Sequence, residues 1–337
     1  MNSKAGTMNS KTGSIAVLGA NGRLGREAVH AFHEAGWRVR AVSRTGNGDF
    51  PQGVEQFAAD AGDEAQVIAA TRGVDFIFNA LNPLYPAWQR EVMVMARNVI
   101  AAAHANDAVH LFPGNVYNYG TALPQELTDE TPERPDHKKA RIRAEAERFF
   151  AEAAETLGVQ TIVIRAGDYY GGDGRGSWFD LIIAPALKRG KVTYPGPRDV
   201  VHSWAYLPDF ARSFVAIAQN ARGLSRFERF NFGGHNVTGN ELVAALETAT
   251  GRKLKVSGFP WPLLRIGGIF HPMWREVGEM AYLWQRPHRM NGERLETVTG
   301  PLRHTPLVQA LRQSLRQLDL PVAEEPRHSH AMPSMAS

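Results

Sequence analysis

Apolar and polar positions alternate in a regular order along the first half of the chain. Short apolar runs, typical of buried strands, are separated by segments in which apolar residues recur at helical spacing. The runs that predict strands are Ser14–Gly19, Trp37–Ser43, Val54–Ala59, Asp75–Ala80, Val109–Phe112 and Gln160–Arg165. The segments that predict helices are Arg26–Ala35, Asp63–Thr71, Ala87–Asn106 and Lys138–Leu157. Strands that alternate with helices in this way predict an α/β protein with a doubly wound parallel sheet.

The pattern becomes less regular after residue 170, where glycine and proline are frequent. Strands are predicted at Val200–Tyr206 and Phe230–Phe232, and helices at Pro208–Asn220, Thr238–Thr250 and Leu307–Leu318. We therefore expect a main domain over 14–170 and a smaller lobe over 171–322, with elements of the two interleaved. The polar ends, 1–13 and 323–337, are predicted to be disordered tails.

Composition excludes several classes of function. The 337 residues include no cysteine, so disulfides and thiolate catalysis are excluded. The densest basic stretch, 134–148, is interleaved with carboxylates, which indicates a solvated helix and no nucleic-acid partner. No secretory leader and no apolar run long enough to span a bilayer is visible, so we expect a cytoplasmic protein without a membrane partner.

The first strand leads directly into a glycine-rich turn, Gly19–Gly25, with the spacing G-x-x-G-x-x-G. Gly19 would permit the tight turn, Gly22 would let the backbone approach a pyrophosphate, and Gly25 would let the helix pack against the sheet. The amino end of the helix would then offer its free N–H groups to the phosphates. With a strand before it and a helix after it, this turn predicts a dinucleotide site of the Rossmann type. The other residues expected there are Asn21, Arg23 and Leu24.

The end of the second strand bears on the choice between NAD and NADP. A carboxylate at this position would bind a free ribose 2′-hydroxyl, whereas an arginine accommodates a 2′-phosphate. This chain has Ser43 and Arg44 there and no carboxylate. The charge therefore favours NADP over NAD.

The order of these motifs resembles the extended and atypical short-chain dehydrogenases/reductases, which include the NAD-dependent epimerase/dehydratase and NmrA-like proteins. The resemblance covers about residues 14 to 320 and includes a Val116-Tyr117 pair after the fifth strand. It implies that Asp60 and Ala61 lie beside the adenine. It also implies that the fourth strand ends near the cofactor ribose, at Asn79, Ala80 and Leu81.

The chain departs from this family's usual catalytic residues. The family's Ser or Thr, three positions before the Val-Tyr pair, is Pro113 here. Its Tyr-x-x-x-Lys motif has no tyrosine, and two registers are open: His137 with Arg141, or Lys139 with Arg143. In either register an arginine would replace the lysine on the ribose, but an arginine cannot act as an acid near neutral pH.

A proton donor must then come from elsewhere in the site. Tyr117 and Tyr119 follow the fifth strand, at the sheet edge that faces the ligand crevice in open α/β folds. Lys139, His137 and Asp168 are further candidates because each can exchange a proton if it lies beside the substrate. We select Tyr117, Lys139 and Arg143 as the catalytic residues.

Together these features predict an NADP-dependent oxidoreductase or epimerase-like enzyme for a small carbonyl or hydroxyl compound. The alternative is a non-catalytic NADP-sensing protein of the NmrA-like type, which the loss of the usual Tyr and Ser favours. No His-Glu pair has metal-ligand spacing on one helix, so no metal is expected. Trp261, Trp274 and Trp284 are compatible with a lid, a homodimer surface or the core.

Overall fold

A computed structural model describes residues 12–323, apart from the side chain of Arg265. The predicted tails, 1–13 and 323–337, lie outside the described residues except for positions 12, 13 and 323. The described strands are β1 (Ser14–Leu18), β2 (Arg38–Ser43), β3 (Glu55–Ala58), β4 (Phe76–Asn79), β5 (Val109–Asn115), β6 (Glu126–Leu127), β7 (Thr161–Ala166), β8 (Asp168–Tyr170), β9 (Lys191–Tyr194), β10 (Val201–Tyr206), β11 (Phe227–Asn231), β12 (His235–Thr238), β13 (Lys255–Gly258) and β14 (Arg289–Met290).

The described helices alternate with these strands. They are α1 (Arg23–Glu34), α2 (Glu64–Ala70), α3 (Trp88–Asn106), α4 (Lys138–Thr156), α5 (Leu207–Asn220), α6 (Gly239–Thr250), α7 (Trp261–Gly267), α8 (Pro272–Gly278), α9 (Tyr282–Gln285), α10 (Glu293–Thr299) and α11 (Leu307–Gln317). None of them is long and apolar enough to cross a membrane.

A seven-stranded sheet forms the centre of the molecule, in the order β11-β7-β5-β4-β1-β2-β3. Each neighbouring pair in it is parallel. One apolar layer covers one face with residues of α1 and α5, and a second layer covers the other face with residues of α2, α3 and α4. This arrangement confirms the predicted doubly wound parallel sheet of the Rossmann type.

The seventh strand comes from the second half of the chain. β11 lies beside β7 in parallel register, with Phe230 opposite Ile164. A short strand was predicted at this point of the sequence, but its place at the edge of the main sheet was not, because periodicity shows which face of a strand is buried and not which strand lies beside it.

Three element boundaries differ from the prediction by three residues. Strand β11, predicted over Phe230–Phe232, begins at Phe227 and ends at Asn231. Helix α1 begins at Arg23, three residues earlier than expected, because the turn after β1 is completed at Gly22. Strand β5 continues to Asn115 and passes through Pro113, where a strand end was expected. Pairing with β4 stops at Leu111, so beyond that point β5 has a neighbour only on the β7 side. The missing N–H of a proline is tolerated where one side of a strand is unpaired.

Sheet order places a crevice at the carboxyl edge. β1 lies between β2 and β4. The chain adds β2 and β3 on one side of β1, and then adds β4, β5 and β7 on the other side. Loops that diverge at such a point open a crevice for ligands. A small sheet, β12-β10-β8, follows β7 in the chain, with β8 beginning two residues after β7 ends.

Candidate active site

The glycine turn after β1 has the geometry expected for close packing. Gly19 adopts a φ of 76°, which favours glycine, and a Cβ there would lie 3.0 Å from the carbonyl oxygen of Ala80. A Cβ on Gly25 would collide with the carbonyl oxygen of Gly19. Both positions therefore require glycine, and both bring α1 close to the ends of β1 and β4.

The amino end of α1 is left open to a ligand. Gly22 is the N-cap residue, no side chain caps the first turn, and no acidic side chain lies in it. The free N–H groups and the positive end of the helix dipole at such a turn suit an anion. A dinucleotide pyrophosphate fits this position.

Two of the side chains predicted to contact the cofactor here are used otherwise. The guanidinium of Arg23 donates to Asp180 Oδ1 at 3.1 Å and to the carbonyl oxygen of Gly171 at 2.5 Å, so this side chain ties α1 to the second half of the chain. Leu24 packs its side chain against the apolar layer beneath α1. For both residues, the backbone N–H in the first turn of α1 is the group that would contact a phosphate.

The end of β2 presents hydroxyl and cationic groups at the surface. Ser43 Oγ accepts a hydrogen bond from the N–H of Gly46 at 3.1 Å, and the neighbouring Arg44 is exposed. Asn21 donates from Nδ2 to the carbonyl oxygen of Asn47 at 2.8 Å, so it holds the loop after β2 against the glycine turn.

The loop after β3 lies next to these groups in the sheet order. Asp60 is exposed, and its Oδ1 accepts from the N–H of Gly62 at 2.9 Å. The carbonyl oxygen of Ala61 accepts from Nδ2 of the buried Asn98, on α3, at 2.9 Å. One carboxylate oxygen of Asp60 thus shapes the turn, while the side chain as a whole faces solvent.

The two registers of the atypical motif lie on different faces of α4. Lys139 and Arg143 are buried, four residues apart on the inward face of the helix. Arg141 is exposed, and its guanidinium donates to the carbonyl oxygen of Asp136 at 3.0 Å. The prediction of Arg141 as a ribose ligand does not fit this orientation. Around the helix axis, the side chain of residue 141 points about 160° away from those of residues 139 and 143. His137 caps α4 and is also hydrogen-bonded to Tyr282 Oη at 3.0 Å.

Arg143 lies against the crevice with unused hydrogen-bonding capacity. Its guanidinium is 4.5 Å from the ring centroid of Trp88 and 5.5 Å from that of Phe112. It donates to Asn82 Oδ1 at 3.1 Å, while its Nε is buried without a partner among the described residues. An unused buried donor at the family's lysine position fits a ribose hydroxyl.

The end of β4 forms another wall of this crevice. Asn79 is buried, with Nδ2 3.3 Å from His110 Nε2, and its Oδ1 accepts from the N–H of Leu81 at 3.3 Å. Asn79, Leu81, Phe112 and Arg143 line the same recess. Two of the three predicted ribose-side residues, Asn79 and Leu81, therefore share a cavity with Arg143 on the inward face of α4; Ala80 does not line it.

Lys139 is not a free amine beside the crevice. Its ammonium donates to Glu276, on α8, and to Glu279 at 2.8 Å. Lys139 and Glu276 are both buried, so two carboxylates neutralise a lysine inside the protein. These ion pairs argue against the prediction that Lys139 donates a proton to the substrate, because its ammonium already donates hydrogen bonds to both carboxylates.

A pair of tyrosine hydroxyl groups lies close to Lys139. Tyr117 Oη is 2.8 Å from Tyr85 Oη, and the ammonium of Lys139 is 5.1 Å from the ring centroid of Tyr85. Burial raises the pKa of Tyr85, and the hydrogen bond from Tyr117 and the charge of Arg143 oppose that shift. Burial raises the pKa of Tyr117 well above its usual value, and the neighbouring Tyr85 adds to the effect. Both phenols are therefore protonated at neutral pH.

The other candidate donors have partners outside this pair. Tyr119 is buried and donates to Asn231 Oδ1 at 3.3 Å, in the direction of β11. Asp168 Oδ2 is 2.8 Å from Nε2 of the buried His202. The site therefore centres on Tyr85, Tyr117 and Arg143.

Sequence reasoning missed Tyr85, Glu276 and Glu279. Tyr85 follows β4, at the sheet edge where ligand groups are expected, and this position is the one signal that could have found it. Glu276 and Glu279 carry no such signal, because they are more than 130 residues from Lys139 in the chain. Within 12–323, no group of three or more His, Asp or Glu side chains is arranged to hold a metal ion.

Comparison with solved structures shows the same fold in sugar-nucleotide enzymes. UDP-glucose 4-epimerase from Brucella ovis, in complex with NAD, is 14% identical with a TM-score of 0.73, covering 93% of this chain and 100% of the other. A putative epimerase from Burkholderia cenocepacia is 19% identical with a TM-score of 0.69, covering 91% and 98%. UDP-N-acetylglucosamine 4-epimerase from Bacillus cereus is 15% identical with a TM-score of 0.69, covering 91% and 99%.

A search among proteins of curated function gives no match. The family model that matches spans residues 15–233, which is about two thirds of the chain and includes the glycine turn, α4 and β11. The match confirms the superfamily that the motifs resemble. This chain belongs to the NAD dependent epimerase/dehydratase family.

Proposed function

We propose that this protein is an NADP-dependent oxidoreductase or epimerase-like enzyme that acts on a small carbonyl or hydroxyl compound. The observation that carries the proposal is that Arg143 and the hydrogen-bonded Tyr85–Tyr117 pair pack around the same side chain, Trp88, after the ends of β4 and β5. Arg143 also lines a recess with Asn79. When bound there, the coenzyme supplies or accepts the hydride. The uncapped turn at Gly22 would hold its pyrophosphate, and Arg143 Nε would reach its ribose.

The protein's own part in the reaction is to hold and move a proton. In the reductive direction, Tyr85 Oη gives its proton to the substrate oxygen, and the hydrogen bond from Tyr117 stabilises the phenolate that forms. Tyr85 is partly exposed, so solvent can return the proton afterwards. Arg143 stays charged throughout and acts as a fixed positive charge.

The preference for NADP is supported by the surface at the end of β2. Arg44 is exposed beside the Ser43 hydroxyl, a pair suited to a 2′-phosphate. The solved neighbours include complexes with NAD, so NAD is the necessary comparison in any binding test. Asp60 and Ala61 would lie on the adenine side. A cytoplasmic location and a homodimer stay predictions from the sequence.

The alternative is a non-catalytic NADP-sensing protein. It is favoured by one observation, the burial of Lys139 in ion pairs where the family places its proton-donating tyrosine. Both hypotheses require coenzyme binding, so binding alone cannot separate them.

Turnover separates the two functions. We expect the protein to oxidise NADPH with at least one member of a carbonyl panel that includes 4-keto sugar nucleotides, chosen because UDP-sugar 4-epimerases share the fold. Loss of that rate in Tyr85→Phe would support the enzyme. Unequal binding of NADP+ and NADPH with no turnover by any substrate would support the sensor.

A further inference from the structure

The helices α7 and α8 form a tight hairpin that is anchored from one side. Gly267 gives room to the ring of Trp274, where a Cβ would collide with it. Trp261 Nε1 donates to the carbonyl oxygen of Pro195 at 2.6 Å, and Glu276 pairs with the buried Lys139. These contacts fix the inner face of the hairpin on the protein.

The outer face of the hairpin is apolar and exposed. Ile269 and Phe270, at the tip between the helices, are 74% and 85% exposed. The exposed large apolar side chains of the hairpin are Leu263, Ile266, Ile269, Phe270 and Trp274. Elsewhere in the described residues such side chains are single positions along the chain: Leu84, Val94, Leu157 and Leu181. A cluster of this kind marks an interaction surface.

Among its charged residues, the chain segment that leads into the hairpin and through its tip carries only cationic side chains. Between Glu247 and Glu276 the chain contains no carboxylate, and its cations there are Arg252, Lys253, Lys255, Arg265 and Arg275. Lys255 of β13 is the register partner of Lys191 on β9, and both are exposed. β13 leads into α7 within three residues, so this cationic strand pair adjoins the apolar hairpin.

We propose that the α7–α8 hairpin docks on the surface of an anionic phospholipid bilayer. Exposed apolar and Trp side chains enter the boundary between headgroups and acyl chains, while neighbouring lysines and arginines bind anionic headgroups. Each helix has only 7 residues, so the hairpin lies in the interface and does not span the bilayer. A second copy of the chain fits less well, because a two-fold interface would bring the cationic segments of both copies together.

The expectation that the protein has no membrane partner rests on the absence of a segment that spans a bilayer. Surface docking needs no spanning helix. It is also independent of the proposed chemistry, since it rests on the outer face of the hairpin.

Sedimentation with vesicles tests the proposal on the full chain. We expect binding to phosphatidylcholine vesicles that contain a quarter phosphatidylglycerol, and at least about tenfold weaker binding to pure phosphatidylcholine. The double variant Ile269→Ser/Phe270→Ser should weaken binding to the anionic vesicles by about tenfold or more. The double variant Lys191→Gln/Lys255→Gln should make vesicle binding less dependent on salt concentration. Leu157→Ser, an exposed leucine at the end of α4, is the matched control and should bind as the unmodified protein does.

Circular dichroism and coenzyme affinity of each variant test whether the fold is retained. We expect the tip variant to keep its fold, because Ile269 and Phe270 are largely exposed. The proposal is overturned if the protein does not bind anionic vesicles, or if the tip variant binds them equally well. It is also overturned if the unmodified protein does not bind vesicles and light scattering shows that it is a dimer while the tip variant is a monomer. The hairpin would then be a contact between two copies of the chain.

Discussion

Lys139 of α4 donates a 2.8 Å hydrogen bond to Glu279, although the two residues are 140 positions apart in the chain. With Glu276 as its second partner, the buried ammonium joins the helix that carries Arg143 to the segment that follows α7. The ion pair therefore connects the candidate active site to the hairpin.

Removing Lys139 should destabilise the protein strongly. Lys139→Met leaves the carboxylate of Glu276 buried without its cation, and the free energy of unfolding should fall by about 3 kcal/mol or more. Urea unfolding followed by circular dichroism measures the change. The double variant Lys139→Met/Glu276→Leu should recover much of the loss, and Lys138→Met on the same helix is the control. Equal stability of Lys139→Met and the unmodified protein would contradict the prediction.

The hydroxyl of Tyr85 should matter for turnover more than for binding. Tyr85→Phe removes the proposed proton donor and should lower kcat by about 10²-fold, with little change in KM. Tyr117→Phe should have a smaller effect, because it removes only the hydrogen bond that stabilises the phenolate. Tyr194→Phe, a buried tyrosine without a hydrogen bond to this pair, serves as the control. Unchanged kcat in Tyr85→Phe would rule out its assigned role.

Arg143 and Arg141 should differ in their effects on coenzyme affinity. Arg143→Ala removes the buried donor at the crevice, and the Kd for the coenzyme should rise by about tenfold. Arg141→Ala changes an exposed side chain and should leave Kd within about twofold. Fluorescence titration with NADPH measures both. A larger effect at Arg141 would mean that the other register of the motif is the functional one.

Arg44 should set the preference between the two coenzymes. Arg44→Asp places a carboxylate where a 2′-phosphate would bind and should weaken NADPH binding by about tenfold or more while improving NADH. The ratio of the two Kd values is the measurement, and Arg38→Asp, at the opposite end of β2, is the control. If the unmodified protein already prefers NADH, the proposed NADP preference is wrong.

Stability should fall in acid because two histidines are buried as neutral bases. Burial lowers the pKa of His110 and of His288 to about 3, compared with 6.5 in an unfolded chain. Below pH 6.5 the unfolded state takes up protons that the folded state does not, so stability is lost as the pH falls from 6.5 towards 3. Each histidine should contribute a slope of about 1.4 kcal/mol per pH unit.

Urea unfolding at a series of pH values measures this slope. His110→Gln, which keeps a polar group opposite Asn79 and Thr161, should flatten it. The exposed His104 gives the control variant, His104→Gln, whose slope should match that of the unmodified protein. A His110→Gln slope equal to that of the control would contradict the assignment.

The sequence by itself determined the alternation of strands and helices in the first half of the chain and the glycine turn after β1. Short apolar runs such as Ile15–Leu18, which end at a glycine, are typical of buried strands between helices. Glycine at 19 and 25 is required by backbone conformation and by close packing at the turn. Tertiary structure alone decided which face of α4 points inward, and so buried Lys139 and Arg143 while it left Arg141 exposed. It also brought Tyr85 to Tyr117 and Glu276 to Lys139, since contacts between residues far apart in the chain depend on how whole elements pack, and no local pattern of residues records that.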